Sequence, residues 1–380
     1  MADDLNRVRP RGRARHLAAV VCMGLALAAA SCDSEVEPSD PTAWMLAPCI
    51  EAPGVAVLIF GQYDLACVSE AGTFETTLNT LITPGGDYYL HGSGPEVVLS
   101  MMNFNLNTIS LRLDLLTGDL ETLSPREATT SQIARVGYTG DRYLVTGVYP
   151  SVASDTTRFE FSFVDGEDIA TTLTLDVPDI GFAFLNDVAY HEPTNTSIHV
   201  FVASRLSGES GRYEMLVDHD LGTYRFLDSD GFLFDGAQFL PSGELVVSDN
   251  VAERLYLADG AFEPVRDADG SPLRTAPPRL AQDGRGDVYT FTREDAGSRV
   301  LRVLPGGTVE EVFRLDRPQS AIYASPSADV LCLREHRPFL YEEETFDDIV
   351  TIYSLADGSV TQYETTLNTE DYNVQRVACL

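Results

Sequence analysis

The sequence predicts an all-β fold assembled from seven copies of one four-stranded unit. A period, a type of strand and a turn chemistry point to it. A strand-like run recurs at Val55 (VAVLIF), Val97 (VVLS), Tyr143 (YLVTG), Ile198 (IHVFV), Leu245 (LVVS), Val288 (VYTF) and Val330 (VLCL). The spacings are 42, 46, 55, 47, 43 and 42 residues, a period that marks a repeat array. These runs are nearly continuous in apolar residues, as strands are when neighbours cover both faces. Before each run lies an inner strand with a small turn, as in AQFLPSG. After it come a third strand and turn, as in RLYLADG, VLRVLPGG and TIYSLADG, then a more polar fourth strand such as VTQYET. The Asp-Gly and Gly-Gly pairs supply the positive φ that tight hairpins demand. Six or eight units stay open at this level, and the long interval holds GVYPSVASDTT and LDVPDIGF, which read as loops.

The elements follow in chain order. Residues 1–31 read as an export signal: Arg7, Arg9, Arg11, Arg13 and Arg15 precede an apolar stretch, Leu17 to Ala30, too short to span a bilayer comfortably. The junction AAASC resembles bacterial lipoprotein signals, which implies cleavage before Cys32 and diacylglycerol on its thiol. Ala29 stands where that family prefers leucine, and a plain secretory signal would leave Cys32 unmodified. Residues 32–43, acidic and proline-containing, read as a flexible tether. Residues 44–380 carry the repeats.

The repeat grammar resembles the β-propeller superfamily, in its loose NHL, YVTN and lactonase-like branch, over about 44–380. With one tryptophan, Trp44, the chain lacks the recurrent tryptophans of WD40, kelch, Asp-box and quinoprotein repeats. The resemblance implies a seven-bladed β-propeller. DYNVQRVACL is one strand too many for the seventh unit, and its expected role is to close the ring against the first.

The formal net charge is −32, or −35 without residues 1–31, which hold five Arg and two Asp. Such a surface repels nucleic acid and anionic lipid headgroups, so membrane contact is expected through the lipid alone, and the chain as a monomer. All 26 basic residues are arginine, which excludes Schiff-base and P-loop lysine chemistry. Beyond Cys22 and Cys32, Cys49, Cys67, Cys332 and Cys379 predict two disulfides in an oxidising cell envelope, with three connectivities open. Among the repeats, His91, His191, His199, His219 and His336 are scattered without ligand spacing.

In a propeller, the loops between second and third strands and between fourth and first form one face. That register puts Gln132, Asp187, Asp235, Arg279 and Gln319 around the channel mouth, with Asn186, Asp249, Asn250 and the loop bearing Glu342, Glu343, Glu344, Asp347 and Asp348 beside them. The first expectation is a recognition or scaffold face for an envelope protein or glycan. The resemblance also raises a metal-dependent lactonase-like or SMP-30-like hydrolase using Asn186, Asp187, Asp235, Asp249 and Asn250, and a structural spacer is a third reading. DSDG at Asp228 and DADG at Asp267 are turn sequences; neither continues into a full calcium loop, so calcium or another divalent cation is open and no cofactor is certain. RGD at Arg285 occupies a hairpin-turn slot.

Overall fold

The computed structural model describes Cys49 and residues 56–60, 64–69, 72–77, 89–93, 96–102, 108–123, 130–136, 142–151, 156–165, 168–205, 208, 210–229, 231–259, 261–275, 279–294, 297–325, 329–335, 346–367 and 374–379. The expected signal, Cys32, the tether, Glu342, Glu343 and Glu344 lie outside them. All described residues fall in one compact unit.

The first sheet holds β1 (Ala56–Phe60), β2 (Asp64–Ser69) and β3 (Gly72–Thr77), and the second β4 (Tyr89–Ser93), β5 (Glu96–Met102), β6 (Thr108–Asp114) and β7 (Leu120–Thr122). The third comprises β8 (Thr130–Val136), β9 (Arg142–Ser151), β10 (Thr156–Asp165) and β11 (Asp168–Pro178). The fourth comprises β12 (Ile180–His191), β13 (Thr196–Arg205), β14 (Ser210–Asp218) and β15 (Thr223–Phe226), with a 3-10 turn at Glu192–Thr194. The fifth runs through β16 (Phe234–Phe239), β17 (Leu245–Asp249), β18 (Arg254–Asp259) and β19 (Ala261–Pro264). The sixth has β20 (Ala281–Gln282), β21 (Val288–Glu294), β22 (Gly297–Leu304) and β23 (Thr308–Leu315). The seventh has β24 (Gln319–Ala324), β25 (Val330–Glu335), β26 (Phe346–Ser354) and β27 (Val360–Leu367). The last strand, β28 (Val374–Cys379), pairs antiparallel with β1 and gives the first sheet its fourth member. The chain is all-β, a β-propeller, and the surplus strand closes it as expected.

Sheets pack face to face in chain order. Val98 and Leu123 meet Tyr143, Val145 and Val164; Phe159 and Phe161 meet Phe201 and Met215; Ile198 and Val200 meet Ala237 and Val247. Val246 and Leu255 pack with Val288 and Leu301, and Phe291 and Val300 with Leu331 and Leu333. At the seam, Cys332, Val350 and Ile352 of the seventh sheet meet Val68 and Cys379 of the first. Each fully buried aliphatic or aromatic side chain contributes about 1.5–3 kcal/mol, which explains why the second strands are apolar on both faces.

Two segments differ from the loop reading. Residues 147–151 belong to β9, 156–157 to β10 and 175–178 to β11, so the extra length of the long interval is strand. Pro150 and Pro178 misled the reading. Pro178 ends an outermost strand, a place where proline is tolerated, and Pro150 is the penultimate residue of β9. The connection to the fourth sheet is Asp179 alone, at φ 60°. In the same way Asp347 and Asp348 belong to β26, opposite Thr366 and Thr365, and not to a loop.

The Gly-Gly turn between β22 and β23 has the predicted positive φ, 77° at Gly306 and 73° at Gly307. A Cβ at Gly307 would come within 2.8 Å of Leu257 Cδ1 in the preceding sheet, so this turn is also an inter-sheet contact. Both disulfides form. Cys49 joins Cys67 in β2, and Cys332 in β25 joins Cys379 in β28, crossing the seam between last and first sheets. The loops they close span 18 and 47 residues. Loop-closure entropy then predicts a loss of about 3 kcal/mol for Cys49→Ser with Cys67→Ser and about 4 kcal/mol for Cys332→Ser with Cys379→Ser, measured by denaturant unfolding without reductant. An equal or reversed order would show that the seam bond does not constrain the ring.

Candidate functional site

The upper end of the sheets is where second strands hand over to third, and outermost strands to the next innermost. The innermost strands share one irregularity there. Gly181 in β12, Asp235 in β16, Ser320 in β24 and Gln375 in β28 are each the extra residue of a β-bulge against the second strand, and Asn186 is a second bulge in the middle of β12. A bulge re-aims its side chain and sharpens the local twist, so the same device recurs around the upper end in four sheets.

Asp235 is the most elaborated. The Arg212 guanidinium, from β14 of the preceding sheet, forms an ion pair with Asp235 Oδ1 and donates to Phe234 O at 3.4 Å. Two positions along β14, Glu214 is buried; the Ser229 hydroxyl donates to its Oε2, while Oε1 has no partner among the described groups. Burial pushes the Glu214 carboxyl above its ordinary range, partly offset by Ser229. A second arginine repeats the theme: Arg293 donates to Gln319 O through Nε at 3.3 Å and Nη2 at 3.2 Å. Phe234 and Gln319 hold the same place, immediately before the bulge.

Other expected residues hold the scaffold. Asp187 accepts the N–H of Val188 on Oδ1 and, across the sheet boundary, that of Ala237 on Oδ2, both at 2.9 Å. Asp249 is buried; its Oδ1 accepts from Val251 and Ala252 at 2.9 Å, and its Oδ2 from Leu233 at 3.3 Å. One carboxylate thereby fixes two turns that present Leu233 and Val251, 43% and 73% exposed. Val202, 38% exposed, precedes the same upper end on β13, and Asn250 is exposed between Asp249 and Val251. Three exposed apolar side chains thus stand on the same two sheets as the Arg212–Asp235 pair, Val202 directly opposite Arg212 in the ladder.

Gln319 is buried, with its Nε2 donating to Arg317 O at 3.0 Å. Arg279 is exposed just before β20, and Gln132 lies in β8 opposite Thr146. Asp267 of DADG is held by Arg299 and caps its own turn, and the RGD segment is a hairpin turn in which Asp283 Oδ1 accepts from Arg285 and Asp287 N–H at 2.9 Å. Among the described residues, no group of three or more His, Cys, Asp or Glu is arranged to hold a metal ion, and no helix is long and apolar enough to cross a membrane.

Sequence reading missed Arg212, Glu214 and Ser229, and the charge pattern of GRYEMLV does not single them out, since the equivalent third strand β10 holds Arg158 and Glu160 at the same spacing. It also missed that two of the scattered histidines meet. Ser197 Oγ lies 2.7 Å from His199 Nε2 and 2.8 Å from His219 Nε2, between the third and fourth sheets beside Phe161, Phe163 and Tyr190. A hydroxyl has one proton, so Ser197 donates to one ring and accepts from the other. His219 Nδ1 has no partner among the described groups, which suits a bare lone pair on a neutral ring. Burial holds His199 well below its ordinary range and His219 down to about 4, against the pull of Asp218 and Asp220.

No protein-family model and no curated protein matches the chain. Solved structures do. A prolyl endopeptidase matches at 12% identity and TM-score 0.51, covering 94% of this chain and 56% of its own. The Swd1 β-propeller domain of Myceliophteria thermophila matches at 11% identity and TM-score 0.40, over 74% and 96% of the two chains. An oligogalacturonate lyase from Vibrio parahaemolyticus matches at 12% identity and TM-score 0.47, over 82% and 86%. The chain spans little more than half the length of the prolyl endopeptidase. At such identities the likeness concerns fold alone.

Two expectations follow. Arg212→Met leaves the half-buried Asp235 without its cation and costs about 1–3 kcal/mol, whereas adding Asp235→Asn to it recovers part of the loss; a double-mutant cycle with no coupling would contradict the pairing. Buried His199 and half-buried His219 fold as neutral rings, so the unfolded chain binds protons near its ordinary pKa of 6.5 that folded His219 binds only near 4. Stability is therefore full above about pH 6.5 and falls as pH drops toward 4, by on the order of 2–3 kcal/mol for His219. Denaturant unfolding between pH 7.5 and 4 checks this, and His219→Asn is expected to flatten the profile.

Proposed function

We propose that this protein is a seven-bladed propeller that binds a protein or glycan of the bacterial envelope on its upper face, tethered to a membrane by lipid on Cys32. The observation that carries the binding reading is the upper rim of the fourth and fifth sheets. There, exposed Leu233, Val251 and Val202 share two neighbouring sheets with the Arg212–Asp235 pair, and the buried Asp249 carboxylate fixes the turns that present Leu233 and Val251. Large apolar side chains displayed on rigid turns together with an ion pair are the composition of a recognition patch. Seven four-stranded sheets, with β28 joining the first, support the blade number. The arginine-rich start, the short apolar stretch and AAASC support the anchor.

A Leu233→Asp, Val251→Asp variant changes the rim without touching Asp249. The full-length, membrane-processed protein, solubilised in mild detergent, is expected to retain a specific envelope partner that this variant loses while keeping its thermal midpoint. Equal capture by both proteins would remove the upper-face reading. For the anchor, mass spectrometry is expected to find diacylglycerol on a mature N-terminal Cys32, and Cys32→Ser is expected to move the protein out of the membrane fraction. An unmodified N-terminal peptide would overturn it.

A further inference from the structure

Among the described residues the seven outermost strands pair along one side only, apart from a single bridge from Thr308 of β23 to Arg266, and six of them are short or carry charge within the strand. β7, β15 and β19 have three or four residues, and β3, β23 and β27 carry Glu75, Glu310 with Glu311 and Arg314, and Glu364. Short length and charge are the usual devices that stop a free edge from pairing with another chain. The outermost strand of the third sheet, β11, has 11 residues, the most of the seven, and its charges, Asp168 and Asp176, and its proline, Pro178, lie toward its two ends. Its run Ile169–Leu175, IATTLTL, has no charge, proline or glycine and consists mostly of β-branched and leucine residues. Ile169, Ala170, Thr172 and Thr174 are exposed, and no described strand pairs with the outer side of β11. A bulge at Thr172 interrupts the register with β10, but the Thr172 hydroxyl donates to Phe161 O at 3.2 Å and pins it.

We infer that β11 is a second docking site, independent of the upper face, which takes an extended segment of a basic partner protein as an added antiparallel strand. Main-chain hydrogen bonds along such an edge give affinity, and alternate side chains give selectivity. Charge decides between occupants. Two copies of this chain paired antiparallel about Thr172 would set position 168 opposite position 176, aspartate against aspartate, on molecules of net charge −32. A partner segment with a β-prone, uncharged centre and basic residues at its C-terminal end instead brings opposite charge to Asp165, exposed at the end of β10, and to the paired position 168 that starts β11.

The test uses full-length protein and three synthetic peptides: Thr-Val-Thr-Val-Thr-Val-Arg-Arg, the same with Glu-Glu at its end, and the same with proline at its fourth position. The Arg-ended peptide is expected to bind at least tenfold more tightly than the other two by fluorescence anisotropy and to slow amide exchange across residues 169–175. An Ile169→Lys, Thr174→Lys variant, placing lysine on both halves of the edge, is expected to lose that exchange protection with an unchanged thermal midpoint. Because added lysine also repels the arginines, a Thr172→Glu variant is measured beside it; protection at 169–175 must respond there too, since the bulge loses its pin. Equal binding of the proline peptide, protection elsewhere in the chain, or full protection retained in both variants would overturn the inference. Concentration-dependent dimerisation with protection of 169–175 in peptide-free protein would overturn it in favour of a second copy.

Discussion

Everything in this ring depends on six residues near its far end. Strands apolar on both faces have no solvent-facing side, so each sheet is stable only with a neighbour before and after it. An open row of such sheets would expose one apolar face at each end. The pairing of Val374–Cys379 with Ala56–Phe60 removes that problem by giving the first sheet an innermost strand from the opposite end of the repeat region. It also turns the seventh sheet's contacts with Val68 and Cys379 into an interface like the others. The disulfide from Cys332 to Cys379 reinforces that junction covalently.

Polar groups then set how each sheet sits on the next. Asp187 reaches Ala237 N–H, Gln282 Nε2 donates to Phe239 O at 2.6 Å, the Gly306 N–H donates to Glu244 at 2.9 Å, and Arg293 holds Gln319 O. Each of these contacts joins a side chain to a main-chain group of an adjacent sheet, so it reads position rather than side-chain identity. Exposed ion pairs add little individually. The exception in kind is a shared guanidinium such as Arg299, which serves Asp267, Glu294 and Glu311 together. A chain whose only cations are arginines is well supplied with such forks.

The repeat itself was legible because second strands must be apolar and turns must contain glycine or aspartate, and both constraints act on single residues in place. The bulges were not. Asn186, Asp235, Ser320 and Gln375 share no residue type, and a bulge is a property of two strands in register rather than of one. Asp187 and Asp235 lie on innermost strands and Asp249 ends a second strand, yet Asp187 and Asp249 hold backbone amides, a use that composition does not distinguish from display. The Ser197, His199 and His219 contact joins one strand to the turn after the next, and the third sheet covers it, so no spacing rule announces it. The extended third sheet was hidden by two prolines that sit where strands tolerate them.

The seam has a consequence for biogenesis. If the chain reaches an oxidising compartment amino end first, Cys49 and Cys67 arrive close together and can bond while most of the ring is still absent. Cys332 must wait as a free thiol until β28 follows, because its partner lies in the strand that completes the circle. During that interval the innermost place of the first sheet is vacant, and a premature bond from Cys332 to Cys49 or Cys67 would fasten the ring in an unfinished form. The order of oxidation is therefore tied to the order of arrival, and the Cys332–Cys379 bond is a covalent record that the ring closed correctly.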